Sequence, residues 1–154
     1  MRCSPRNWLA GAACIITLAS LAQAKTLTPP SLEDMLRSEV IVVAEFLDVI
    51  PPAHPSNFDY TGVPAHFRRT RILRGEALSE TLLVRYDFSD GSFCIPPQSF
   101  DYRTHLPRRG ERFVLFLSYH QAGEWFTYGG DYGRWSGADS VVKRATRMIR
   151  EHHS

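Results

Sequence analysis

The run over residues 112–119, RFVLFLSY, constrains the fold more than any other stretch of this sequence. Its apolar residues fill both alternating sets, so a strand formed here has no face that can be left to water. One face carries Phe113, Leu115, Leu117 and Tyr119, and the other carries Val114 and Phe116. The chain must therefore place this strand centrally, with a packed layer on each side.

Four further segments have the composition and alternation of strands. Residues 121–123 form a hairpin connection to a returning strand at 124–128, and the β-branched run 39–50 predicts a long strand. Weaker patterns predict strands at 66–73 and 81–88, the latter with Leu82, Val84 and Tyr86 buried. The proline-rich residues 51–64 are predicted to be a surface loop.

Two helices are predicted outside the strand region. Ser31 can cap a short helix that runs through residue 37, with Asp34 in the acidic position of a capping box. Three glycines within 129–133 predict backbone that bends sharply or passes close to another group. Beyond them, Asp139 or Ser140 can cap a C-terminal helix.

The C-terminal helix is predicted to be amphipathic. Its apolar face consists of Val141, Val142, Ala145, Met148 and Ile149, and its basic face of Lys143, Arg144, Arg147 and Arg150. The basic face is either an ordinary solvated surface or a docking stripe for an acidic partner.

The first 24 residues are predicted to be a secretory signal peptide. Arg2 and Arg6 precede an uncharged apolar segment, and Ala22-Gln23-Ala24 fits the small-x-small rule, which places cleavage between Ala24 and Lys25. The apolar segment is shorter than the ~20 residues that span a bilayer, so no membrane insertion is expected after signal removal. Residues 25–154 suit one domain, located in the periplasm or secreted.

The charge balance argues against nucleic acid or an anionic membrane as the partner. The chain has 18 Lys and Arg against 16 Asp and Glu, and loss of Arg2 and Arg6 leaves 16 of each sign. A neutral mature chain gives no footprint for nucleic acid or for an anionic membrane.

Sequence signatures of catalysis and metal binding are missing. His54, His66, His105 and His120 lack the short ligand spacing of zinc sites, so neither a metal nor another cofactor is expected. Cys94 is the one cysteine left after signal removal, which rules out an internal disulfide. An enzyme that pairs Cys94 with a histidine remains an alternative and requires tertiary proximity.

Several segments occur in an order that resembles a known family. They are the strand EVIVVAEFLDV, the turn ILRGE, the strand LLVRY, and PRRGERFVLFL followed by a hairpin and FTYGG. This order resembles the netrin-like, tissue-inhibitor-of-metalloproteinases-like domains, and especially uncharacterised exported bacterial proteins, over about residues 36–130. The resemblance implies a five-stranded OB-type β-barrel. With the helices that the residue patterns predict, the fold expected is mainly β, a five-stranded OB-type β-barrel with a short N-terminal helix and a C-terminal helix.

The inhibitors' mechanism is not expected here. The resemblance would imply zinc chelation by an amino-terminal cysteine, but this chain is expected to begin at Lys25 with no cysteine nearby. The loop 89–110 is predicted to be a flap that covers the barrel through Phe93, Ile95, Phe100 and Tyr102, although loops of this length are often functional.

The function expected is that of an exported soluble binding domain that contacts a protein or an envelope component. Tyr128, Tyr132 and Trp135 are the candidate partner surface, because aromatic rings in and beside a glycine-rich loop are less surely buried and can serve as hot spots. A saccharide-binding module that stacks sugars on these three rings is the alternative. The pattern specifies neither the ligand nor the oligomeric state.

Overall fold

The computed structural model describes residues 30–53, 62–76, 79–88 and 101–152, which form a mainly β fold. In chain order the elements are α1 (Leu32–Leu36), β1 (Val40–Val49), β2 (Val63–Arg74), β3 (Thr81–Tyr86), β4 (Arg112–Gln121), β5 (Glu124–Thr127), β6 (Arg134–Ser136) and α2 (Asp139–His152). Short 3₁₀ helices lie at Tyr102–His105 and Gly130–Gly133. Neither α1 nor α2 is long and apolar enough to cross a membrane.

Five of these strands close into a barrel. β1 pairs antiparallel with both β2 and β4, while β3 pairs antiparallel with β2 and parallel with β5. Because β5 returns antiparallel to β4, the order around the barrel is β1-β2-β3-β5-β4 and back to β1. The predicted five-stranded OB-type barrel with a short N-terminal helix and a C-terminal helix is confirmed.

β4 separates two apolar clusters, as its sequence predicted. Phe113, Leu115 and Leu117 belong to the interior cluster, which fills the barrel, and Val114 and Phe116 belong to the outer cluster, which lies under the helices. In the interior cluster, the Phe67 ring meets Phe46 edge-on at 5.6 Å and Phe113 at 6.2 Å. The barrel is therefore packed with side chains that prefer this edge-to-face geometry.

The helices cover the outer cluster. Ser31 caps α1 as predicted, since its Oγ accepts a hydrogen bond from the Asp34 backbone N–H at 3.1 Å. The buried residues of α2 are Val142, Ala145 and Ile149, with Val141 and Met148 packed at the margin. This confirms the predicted apolar face. The helix begins at Asp139 itself, so the predicted cap at Asp139 or Ser140 is placed one or two residues too late.

Two strand predictions need correction. β2 begins at Val63 rather than at residue 66, because Pro64, which has no N–H to donate, still accepts a hydrogen bond from the Ile50 N–H at 2.8 Å. The sequence did not predict β6, since three residues are too few for a recognisable alternation. This strand is defined by its antiparallel pairing with β4, in which Trp135 lies opposite Val114.

The predicted flap falls only partly within the described residues. Tyr102 packs against the interior cluster, which confirms its covering role. Phe93, Ile95 and Phe100 lie outside the described residues, as do the signal segment with its cleavage site at Ala24 and Lys25 and the thiol of Cys94.

Candidate functional site

Trp135 is held by β6 over the outer cluster. Its ring centroid lies 4.8 Å from that of Phe116, with the two planes tilted by 59°. From α2, the Arg144 guanidinium lies over the same ring at 5.9 Å. A contact of this kind favours a fixed ring orientation, because the cation is attracted to the π face.

A groove of about 450 Å³ opens beside this ring, between α1, β6 and α2. We call it the Trp135 groove. Its aliphatic walls come from Leu32 and Met35 of α1 and Val141 of α2. Leu32 is 38% exposed, and Ile50 is the other large apolar side chain that is exposed among the described residues. The groove can accept an apolar side chain and places one cation, Arg144, at its margin.

The three predicted aromatic residues do not contribute equally to this groove. Trp135 lines it, whereas Tyr128 is half-buried against the outer cluster. Tyr132 is half-buried in the 3₁₀ helix Gly130–Gly133. The groove is thus formed by Trp135 together with Leu32 and Met35 of α1 and with Val141, which the sequence placed on the apolar face of α2.

The glycine-rich turn before β6 has the close backbone approach that its sequence predicted. Gly129 and Gly130 adopt φ values of +65° and +67°, a region that most residues avoid. A Cβ on Gly133 would lie 2.6 Å from the Tyr128 backbone N. These glycines therefore allow the turn to fold tightly against the end of β5.

The seam between β3 and β5 is the shortest pairing in the barrel, with Val84 opposite Trp125 as its one register pair. Polar side chains supplement it. Arg85 Nη2 lies 3.3 Å from Glu124 Oε2, and the two side chains are 22% and 13% exposed. Ion pairs this shielded from solvent interact more strongly than surface pairs, but removing them from water is costly.

Arg134 joins the turn to the end of β3. Its Nη2 donates a hydrogen bond to the Asp87 carbonyl at 3.1 Å and another to the Asp131 carboxylate. The guanidinium carbon lies 3.8 Å from the centre of the Tyr86 ring. Only 9% of the Arg134 side chain is exposed, so it closes the barrel wall where the β3–β5 ladder ends.

Burial raises the pKa of the Asp87 carboxyl to about 6, against the lowering effects of Arg134 and of the Thr127 hydroxyl. Thr127 Oγ1 lies 3.4 Å from Asp87 Oδ2 and donates to the Gly130 carbonyl at 2.7 Å. Asp87 is therefore a half-desolvated acid inside a network of fixed partners.

This network is not fully satisfied. Within the described residues, the buried side-chain atoms that lack a hydrogen-bond partner are Arg85 Nε, Glu124 Oε1 and Arg134 Nη1, and all three belong to the seam. Leaving a buried polar atom unpaired costs about 1–3 kcal/mol. We call these charged residues, with Asp87 and Asp131, the seam cluster.

Metal binding finds no support in the described part of the chain. No group of three or more His, Cys, Asp or Glu residues is arranged there to hold an ion. His66 Nδ1 lies 2.6 Å from Asp48 Oδ1 on the barrel surface, which is a pair rather than a site. The alternative of an enzyme built on Cys94 stays a prediction, because that thiol lies outside the described residues.

Sequence reasoning missed both the Trp135 groove and the seam cluster. The glycines at 129–133 predicted a close backbone approach but not the neighbouring Asp87, which follows β3 and is distant in sequence. Charged residues in a strand pattern are ordinarily assigned to solvent. No local pattern distinguishes Arg134 from the exposed arginines of α2.

Comparison with known proteins adds no family. A scan against protein-family models and a search of curated proteins both return no match for this chain. The surfaces and charges that the fold creates are therefore the guide to the function of this chain.

Proposed function

We propose that this chain is an exported, non-enzymatic binding domain that contacts a partner protein through the Trp135 groove. The observation that carries the proposal is the exposed Leu32 beside the fixed ring of Trp135 and the aliphatic side chain of Val141. Apolar grooves with an aromatic anchor and a polar margin are typical of protein-binding hot spots. The barrel acts as a rigid support for this surface.

A protein partner suits the groove better than a saccharide. Sugar stacking needs an open aromatic face, and the Trp135 ring already contacts Phe116 and Arg144. Tyr128, a second proposed platform, packs against the outer cluster. The aliphatic walls favour an apolar side chain, which releases about 25 cal/mol per Å² of buried apolar surface.

Replacing Leu32 by glutamate is expected to weaken partner binding about tenfold or more, because a charge would be desolvated against Trp135 and Met35. Peptides selected from a random library on the native protein serve as ligands, and fluorescence anisotropy measures their Kd. We expect the selected peptides to carry an aromatic or aliphatic anchor.

Ile50 provides the matched control. It is 42% exposed at the end of β1, so Ile50→Glu makes the same change in charge and polarity outside the groove. Equal losses of affinity in both variants would contradict partner binding through the Trp135 groove. Titration with peptidoglycan fragments tests the saccharide alternative: a tryptophan fluorescence change that Leu32→Glu leaves intact would favour it.

Export is tested separately. When the full chain is expressed in a bacterium, we expect the periplasmic or secreted product to begin at Lys25, because Ala22 and Ala24 present the small residues that signal peptidase needs. Intact mass and amino-terminal sequencing report the cleavage. Ala24→Phe should leave the precursor uncut. A product that retains Met1 and stays in the cytoplasm would contradict export.

A further inference from the structure

A second groove lies on the other flank of α2, between this helix and β2. Two adjoining hollows of about 400 and 500 Å³ share Arg71 of β2 and Lys143 of α2. Arg147 and Arg150 continue the helical wall. We call this continuous surface the basic groove. It is distinct from the Trp135 groove, which uses Val141 and Arg144 of the same helix.

The positive charges of Arg71 and Lys143 are not neutralised by a described neighbour. Arg71 and Lys143 are exposed, and no described residue forms an ion pair or hydrogen bond with either side chain. Arg147 meets Glu151 at 3.9 Å, but both side chains are largely exposed, so this pair contributes little. Among the acidic residues of the groove, Glu45 is engaged by Arg68 and Asp139 by Arg112. A net positive field therefore remains.

The floor of the groove is formed by buried valines and offers neither free donors nor much apolar surface. Val43 and Val142 lie there. The hydroxyls of Thr70 and Thr146 donate to the carbonyls of these same two valines, at 3.1 and 2.8 Å. Anionic groups can thus be recognised by the cationic side chains of the walls rather than by the floor.

The spacing of the cations fits an extended peptide. Lys143, Arg147 and Arg150 follow one another at i, i+4 and i+7, so they share one face of α2 and lie along about 10 Å of its length. Carboxylates at alternate positions of an extended chain are about 7 Å apart, close to the ~6 Å rise between Lys143 and Arg147. Arg71 faces them from β2.

Nucleic acid fits less well. Single-stranded nucleic acids are bound by aromatic stacking as well as by charge, and none of the described residues that line the basic groove is aromatic. Carboxylates need only the guanidinium and ammonium groups that the walls provide, and arginine binds them in a bidentate manner.

We propose that the basic groove binds an extended acidic segment of a second protein, through Arg71, Lys143 and Arg147. This goes beyond the Trp135 groove, because the two surfaces lie on different flanks of α2 and recognise different side chains. The docking-stripe alternative for the basic face is thereby assigned to the residues that face β2, and Arg144 is excluded from it.

The test uses a fluorescein-labelled octapeptide of alternating glutamate and valine, with binding measured by anisotropy at low salt and at physiological salt. The native protein is expected to bind it with an affinity that falls as salt rises. The double variant Arg71→Glu/Lys143→Glu should bind it at least tenfold more weakly. Both side chains are exposed, so an unchanged thermal unfolding curve will show that the fold is retained.

The control double variant is Arg108→Glu/Arg109→Glu, which makes the same change in net charge on two exposed arginines outside the groove. Loss of binding confined to the groove variant supports the proposal. Equal losses in both variants, or no binding by the native protein, would overturn it. Two further ligands are tested, an oligothymidylate and a control octapeptide of alternating lysine and valine. The proposal would also be overturned if the groove bound the oligothymidylate more tightly than the acidic peptide, or if it bound the two octapeptides equally well.

Discussion

Replacement of Arg134 by methionine is expected to destabilise the folded protein by about 3 kcal/mol at pH 8, because breaking a shielded ion pair leaves carboxylates without compensation. Methionine keeps the length and the apolar stem but loses the hydrogen bonds to Asp131 and to the Asp87 carbonyl. It also loses the cation over Tyr86. Urea unfolding at pH 8 and pH 5 measures the change.

The loss of stability caused by Arg134→Met should be smaller at pH 5. Without the guanidinium, the pKa of Asp87 rises further, so its carboxyl is protonated at pH 5 and no longer needs a positive partner. Arg103→Met is the matched control, since the Arg103–Asp101 pair is exposed and its removal should change the stability far less. An Arg134→Met protein as stable as this control would show that the seam cluster does not hold the barrel closed.

Replacement of Asp87 by asparagine should stabilise the protein by about 2 kcal/mol at pH 8, since the amide carries no charge to desolvate. The pKa of Asp87 is raised from 3.8 to about 6 in the folded state, so folding favours the protonated acid. The resulting stabilisation is complete below pH 3.8 and is lost as the pH rises through 6. The native protein should therefore lose stability between pH 4 and 7, and Asp87→Asn should lose less.

Thermal unfolding at several pH values between 4 and 8 measures this difference. Asp139→Asn is the control, because that side chain is 80% exposed and the substitution changes the net charge equally. If Asp87→Asn lowered the stability at pH 8, the attraction between Asp87 and Arg134 would exceed the desolvation cost, contrary to our expectation. The double variant Asp87→Asn/Arg134→Met should be more stable at pH 8 than Arg134→Met alone, because the two residues are coupled.

The apolar patterns of the sequence predicted most of the barrel strands. Residues 112–119 predicted a strand buried on both faces, and β4 is buried against the interior cluster through Leu115 and against the outer cluster through Phe116. The alternation of Leu82, Val84 and Tyr86 was equally reliable. Such patterns succeed because successive side chains of a strand point to opposite faces, so a local period records which face is covered.

The candidate sites were harder to predict. Trp135 was singled out as a surface residue, but its groove also requires α1, and the basic groove requires Arg71 of β2 opposite Lys143 of α2. Residues 71 and 143 line the same groove because the closed barrel places β2 beside the C-terminal helix. Residues 25–154 together carry no net charge, and this neutrality concealed the local excess of positive charge.

By itself, the sequence determined where the five barrel strands lie, which of their faces are buried, and that a short helix precedes them and an amphipathic helix follows them. Only the tertiary structure decided that the three residues of β6 pair with β4, and that Arg134 reaches the Asp87 carbonyl from 47 residues away. The reason is physical. The burial of a strand face produces a local periodicity that can be recognised in the sequence. Contacts between charged groups depend instead on how the closed barrel brings distant strand ends together.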